Sequence, residues 1–284
     1  MPVYEQTYRR YEAREPLRTV RFWPITREAL RLLLSRWAFL GLVVLCWLPF
    51  LGFAIYLWAM TQFAQIPEGM LTALPRGGAV FALYFKWQLP LCLLLTTFAG
   101  AGLVANDLRT GAILVYLSRP LTRRDYVIGK LCVLMALNLA VTLAPGLLLY
   151  GIACALAPAQ FVTLALAWLG PAIALHAVVL SLSFSLAALA VSALSKSGRV
   201  AGLAFFGLMI GLDIVQGIVG VIAHWRPAIL MSVQACVNAV GDALLGSPGE
   251  DALHWVWPAL VLVAAWGASL LVLRARVRAV EIVR

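Results

Sequence analysis

Long runs without a single Asp, Glu, Lys or Arg dominate the pattern of this chain. Trp37 to Pro67 is one such run and Leu131 to Ser195 another. Val200 to Ala223 is broken only by Asp213, Leu253 to Leu273 is unbroken, and Phe81 to Ala105 carries a lone Lys86 near its start. A helix that crosses a hydrocarbon core of roughly 30 Å needs about 20 predominantly apolar residues. Against that length the runs predict six spans, approximately 37–60, 81–105, 128–155, 162–193, 200–223 and 253–273. The run from Leu131 to Ser195 is too long for one helix and divides into a hairpin turning at Ala157-Pro158-Ala159-Gln160. Barrel strands would alternate apolar and polar residues. These runs do not, so the predicted fold is all-α, a polytopic helical bundle in lipid.

Two further segments fit neither spans nor simple loops. Pro24 to Arg36 reads as an amphipathic helix, with Thr26 as a candidate cap and Leu30, Leu33 and Leu34 on a face opposite Arg27 and Arg31. Such a helix lies on the inner leaflet ahead of span one. Pro227 to Gly241 is free of charge but too short to cross, which leaves a re-entrant element or an outer-surface helix. The organisation expected is a segment 1–36 with the interfacial helix, a transmembrane domain 37–273 and a basic tail 274–284.

Composition narrows the class. Of 284 residues 63% are hydrophobic and 12% charged, against roughly 25% charged in soluble domains. An ordinary water-soluble protein is excluded. The net charge of +10 would raise nucleic-acid binding in a soluble chain, but the basic residues flank the apolar runs, where they set topology. No nucleic-acid partner is expected. With the N-terminus inside, eight arginines precede span one, and Arg109, Arg119, Arg123, Arg124 and Lys130 lie between spans two and three. Lys196 and Arg199 follow span four, and Arg274, Arg276, Arg278 and Arg284 follow span six, which makes 19 of 22 basic residues cytoplasmic. An odd number of spans would destroy this split, so both ends are expected in the cytoplasm. The arginine-rich first 36 residues are too long and too charged for the n-region of a cleaved signal peptide. Trp37, Trp58, Trp225, Trp255 and Trp257 fall at span ends, where amphipathic rings are stable; Trp168 and Trp266 read as bundle or lipid contacts. Four of the five cysteines lie inside apolar runs, and no metal spacing is visible.

The connection from Asn106 to Lys130 carries the most chemistry. Asn106 or Asp107 can cap a short helix whose apolar members are Leu108, Ile113, Tyr116 and Leu117, and Pro120 stops it. Thr122 and Asp125 have capping-box spacing, with Leu121 and Tyr126 as the matching staple, so span three starts at a defined point. On local physics this is either a rigid surface helix or an ordinary solvated loop with well-capped ends. An acid at the end of span two, a Thr-Gly pair, an aliphatic run, a Ser-Arg-Pro-Leu-Thr-Arg turn and a Tyr-Val-x-Gly-Lys entry resemble the coupling region of type-2 ABC exporter permeases. Asp107, Thr110, Gly111, Leu117, Arg119, Pro120, Arg123, Tyr126, Gly129 and Lys130 carry the match. The six spans, the amphipathic helix and the Ser-rich span four ending in Ser195 to Arg199 are also similar. The sequence departs in showing Asn106 and Asp107 where the family is richer in glutamate.

The resemblance implies a permease subunit of an exporter in the cell (inner) membrane that docks through this segment onto a separate cytoplasmic ATPase. ATP and Mg would sit on that partner. Two permease subunits, identical or related, would form the pathway. The chain itself has no Gly-x-x-x-x-Gly-Lys-Ser/Thr loop, so it is not expected to be an enzyme or to hold a cofactor or metal.

Asp213 is a candidate pathway residue, since a carboxylate in mid-span costs about 2.5 to 3.5 kcal/mol and must face the bundle or a wet cavity. A bland tie between helices is the alternative. Lys86 can snorkel, and it reaches Asp213 only if the two spans are offset in depth. The small faces of Gly207 and Gly211 in span five and of Ser181, Ser185, Ala188 and Ser192 in span four favour packing within the subunit over dimerisation. His176, His224 and His254 lack a second ligand at metal spacing. The rival functions are a membrane scaffold without transport and an ion-coupled transporter or membrane enzyme; the few buried ionisable groups argue against the last.

Overall fold

The computed structural model describes residues 22–62, 77–112, 122–156, 164–223, 226–247 and 253–276. Regular structure among them is entirely helical. α1 (Trp23–Leu34) carries Pro24 in its first turn, where a missing N–H costs nothing. Thr26 is not its cap. It lies inside the helix and is buried, and its hydroxyl reaches the carbonyl of Gly129 at 3.0 Å. Arg27, Arg31 and Arg36 are exposed, while Leu30 and Leu33 pack against the core.

Span one consists of α2 (Trp37–Leu45) and α3 (Leu48–Gln62), broken at Cys46 and Trp47. Pro49 in the first turn of α3 cannot continue the α2 ladder. Span two is α4 (Gly78–Gly100), followed after a bend by the short α5 (Ala105–Arg109). α6 (Arg123–Leu156) and α7 (Leu164–Leu194) form spans three and four and pack along each other. The turn expected at 157–160 lies outside the described residues. α8 (Gly198–Ala223) is span five, and α10 (Val256–Arg276) is span six. Among the described residues, six stretches are thus long and apolar enough to cross a membrane.

The spans are not equivalent. The most apolar stretch of span four is 67% buried, against 11% for spans one and five. Spans two, three and four form the centre, and the others lie around it. The centre is held by polar bonds as well as packing. Pro145 has no N–H for the carbonyl of Val141, one turn earlier, and Gln88 Nε2 supplies the donor at 2.7 Å. The same amide group donates to the carbonyl of Cys46 at the break in span one, at 3.0 Å. One level closer to α5, Thr96 donates to Asn138 Oδ1 at 3.0 Å and Asn138 Nδ2 to Ser185 at 3.4 Å. The small face of span four lies here as expected, with Ala188 against Gly100. Span five differs from expectation. A Cβ on Gly207 or Gly211 would meet nothing within 4 Å, so these glycines do not pack inside the chain, and Gly198 and Gly202 do instead.

At the end of the bundle away from α1, the apolar segment after span five forms a 3-10 turn (Arg226–Met231) and α9 (Val233–Leu244). Ser232 caps α9 by accepting from the N–H of Ala235 at 3.2 Å. Gln234, Cys236, Val237, Val240 and Gly241 turn into the bundle. Gly241 lies on the ring of His176, where a Cβ would come within 2.5 Å of Nδ1, and His176 is fixed edge-on to Phe85 at 4.4 Å between centroids.

Candidate functional site

Several candidate coupling residues converge at the end of the bundle that carries α1. Asp107 lies in the first turn of α5, and its Oδ2 accepts from Tyr126 Oη at 2.8 Å and pairs with Lys130 Nζ at 2.8 Å. Tyr126 and Lys130 are one turn apart on α6, so both reach the same oxygen, and the ammonium lies 5.6 Å from the centre of the Tyr126 ring. The Lys130 side chain is 7% exposed and that of Asp107 18%. A carboxylate holding two donors in a site this dry forms a directional tie, because charge-assisted bonds are stronger than neutral ones.

Gly129 completes the assembly. A Cβ there would stand 3.3 Å from the carbonyl oxygen of Phe22 and 3.4 Å from Ile25, so a side chain here would push α1 back by a few tenths of an ångström. With the Thr26 bond to the Gly129 carbonyl, α1, α5 and α6 are joined within two turns of one helix. The start of α6 is set by the capping box expected from spacing. Thr122 N–H donates to Asp125 Oδ2 at 2.9 Å, and Asp125 N–H donates back to Thr122 Oγ1 at 3.2 Å.

Neither Asn106 nor Asp107 caps α5. Its first amides are satisfied instead by Ser192 of span four, which accepts from Val104 N–H and Ala105 N–H. α5 is also shorter than the helix expected up to Pro120. Thr110 Oγ1 donates to the carbonyl of Asn106 at 2.9 Å, and Gly111 takes φ +69°, the left-handed geometry that ends a helix and that a side chain disfavours. Arg123 is exposed at the start of α6. Leu117, Arg119 and Pro120 lie outside the described residues, as does the staple residue Leu121.

At the other end, Lys86 pairs with Asp242 of α9 at 2.9 Å and not with Asp213. Burial raises the Asp242 carboxyl above the usual carboxylate range, and the Lys86 ammonium partly opposes that rise. Asp213 is on the exposed side of span five, and its Oδ1 accepts from Ser232 Oγ at 2.9 Å. Gln88 and Asp242 had no assigned role in the sequence, and Ser192 was placed there only on the small packing face of span four. Prolines on spans one and three opposite a lone mid-span glutamine are the local signal that could have pointed to Gln88.

The architecture defines an integral, multi-pass helical membrane protein with a cluster of polar ties at the end that carries α1. The family model described as ABC-2 family transporter protein matches residues 23–234, and the chain belongs to that family. It is a membrane component of an ABC transporter. A search of curated proteins finds no match.

Proposed function

We propose that this chain is the permease subunit of an ABC exporter, which forms the translocation pathway and takes its driving force from a separate cytoplasmic ATPase. The observation that carries this reading is the Asp107 tie. A load applied to the segment after α5 reaches span three through Tyr126 and Lys130, and reaches α1 through Gly129 and Thr26. The placement of 19 of 22 basic residues supports a cytoplasmic position for this end. ATP and Mg belong to the partner subunit, and the stretch from Asp107 to Pro120 is its docking element.

Two permease subunits, identical or related, enclose the pathway. An ionised carboxylate facing lipid in mid-span costs about 2.5 to 3.5 kcal/mol, so the exposed side of Asp213 faces a second subunit or the wet pathway between the two. Gly207 and Gly211 on the same span leave room for close approach.

The test is to extract the tagged chain gently from its own membrane and measure what accompanies it. A stoichiometric ATP-hydrolysing subunit is expected. Leu117→Asp should leave insertion intact and abolish that association. A clean preparation without ATPase activity would overturn the permease reading in favour of a scaffold. Asp213→Asn is expected to lower ATP turnover of the complex in lipid; turnover at the wild-type rate would remove Asp213 from the pathway.

A further inference from the structure

The bend between span two and α5 is built around a hydroxyl that comes from span four. Between Gly100 and Ala105 the chain leaves the α-helical ladder. Leu103 N–H reaches back three residues to the Gly100 carbonyl at 3.2 Å, and the regular ladder resumes with Asn106 N–H to the Gly102 carbonyl at 3.2 Å. In an unbroken helix Ala105 N–H would donate to the carbonyl of Ala101, four residues earlier. Here Ala105 N–H donates to Ser192 Oγ at 3.0 Å, and the Ser192 hydroxyl donates to the Ala101 carbonyl at 3.1 Å. Val104 N–H donates to the same oxygen at 3.3 Å. One hydroxyl therefore stands inside the missing bond, accepting twice and donating once, which is its full capacity. A side chain inserted into the ladder is a sufficient cause of a sharp bend.

The surroundings pack closely on the bend. A Cβ on Gly102 would lie 2.5 Å from Asn106 Nδ2, and one on Gly198 would lie 3.1 Å from both Asn106 Oδ1 and Gly102 Cα. One on Gly202 would lie 3.1 Å from the Ala101 side chain. Glycines thus bring the start of span five against the bent segment, and Ser192 lies just ahead of the Ser195–Ser197 link that leads into that span.

We propose that Ser192 is the pin of a two-state hinge, a positioning residue that passes displacement of α5 to spans four and five; the inference rests on the reading of this chain as a permease subunit. In the bent state the hydroxyl is inserted. In the straight state it withdraws and Ala105 N–H bonds the Ala101 carbonyl directly. Ala101 and Ala105 keep partners in both states, so at these groups the exchange orphans no polar atom in a buried site, where an orphan would be costly. Withdrawal of Ser192 moves the link into span five, so straightening of span two and movement of span five are one event.

The test places nitroxides at Arg109→Cys and Lys196→Cys, both exposed positions, in a background where Cys132 and Cys154 are Ser. In the permease alone, reconstituted in nanodiscs, Ser192→Ala is expected to shift the label distance away from the wild-type distribution, and Ser192→Thr to restore it. An unchanged distribution in Ser192→Ala overturns the hinge whether or not an ATPase binds. In the complex with its co-purified ATPase, ATP and vanadate are expected to switch the wild-type distance, and Ser192→Ala to lose at least half of that switch. A full switch in Ser192→Ala overturns the inference, whereas absence of any ATPase overturns the permease reading and leaves the first arm to decide the hinge. Should Ser192→Ala fail to fold, Asn106→Ala removes an exposed side chain wedged between Gly102 and Gly198. It is expected to shift the distance in the permease alone, and no shift there counts against the hinge.

Discussion

Removing the charge of Lys130 should damage the chain more when Asp107 is kept than when it is removed as well. Lys130→Met leaves the Asp107 carboxylate with the Tyr126 hydroxyl as its remaining tie to α6 and with 18% exposure. Orphaning one partner of a fully buried pair costs 3–5 kcal/mol; partial exposure puts this case at about 2–3 kcal/mol. Asp107→Asn keeps an oxygen for Tyr126 but strands an ammonium that is 7% exposed, at a cost of about 3 kcal/mol. The double substitution strands no charge, keeps the bond to Tyr126 and should cost about 1–2 kcal/mol, well short of the sum of the two single losses. The coupling energy is therefore about 4 kcal/mol, above the usual range for residues in contact. Equilibrium unfolding in mixed micelles, followed by the fluorescence of the ten tryptophans, measures all four corners of the cycle. Single losses that add to the double loss within about 0.5 kcal/mol would refute the tie as an energetic unit, and with it the route from α5 to span three.

Other substitutions probe the centre and the far end. Gln88→Leu removes the donor shared by the carbonyls of Cys46 and Val141 and should cost about 1–3 kcal/mol in the same unfolding assay; a neutral effect would mean that neither proline break needs it. Gly241→Ala forces a methyl into the His176 ring and should cost about 1–3 kcal/mol, with His176→Ala recovering part of the loss; no recovery would place the strain elsewhere. Because the folded-state value of Asp242 is raised, its contribution is full below about pH 4 and declines as pH rises through the raised value. Lys86→Met leaves burial unopposed, so its stability deficit relative to the parent should be negligible near pH 4 and about 1 kcal/mol near pH 7.5. A deficit independent of pH would remove Asp242 from that account.

The features legible in the sequence are those that depend on near neighbours or on composition. Six apolar runs placed six spans, and the spacing of Thr122 and Asp125 placed the start of span three, because a capping box closes on itself within four residues. Asp107, Gly129 and Lys130 were identified through resemblance, and their juxtaposition follows from the antiparallel entry of span three beside the exit of span two. Thr26 and the start of α5 were misread for one physical reason. A threonine near a helix start and an asparagine or aspartate before a short helix both fit local capping, but here a partner far along the chain satisfies the same valence. Thr26 bonds the Gly129 carbonyl, and Ser192 bonds Val104 and Ala105. Span four offers several serines at similar spacing, and nothing local distinguishes the one that meets a break in span two.

The distribution of these long-range bonds bears on how the bundle can move. Gln88, Thr96, Asn138 and Ser185 bind spans two, three and four to one another with donors and acceptors that have no water to exchange with. Among the described residues, span five meets the centre by packing, through Gly202 on Ala101 and Gly198 on Gly102 and through the buried side chains of Phe205 and Met209. Moving span five along this packed surface breaks none of the hydrogen bonds that join spans two, three and four, whereas shifting span three against span two breaks several at once, at about 0.6 kcal/mol each on average and more where a carbonyl is left bare. The central three spans therefore form the stiff unit and span five the compliant one. The Asp107 tie grips the stiff unit, the bend at Ser192 lies on the boundary between the two, and Asp213 rides on the compliant side. A force arriving at α5 meets least resistance along that boundary.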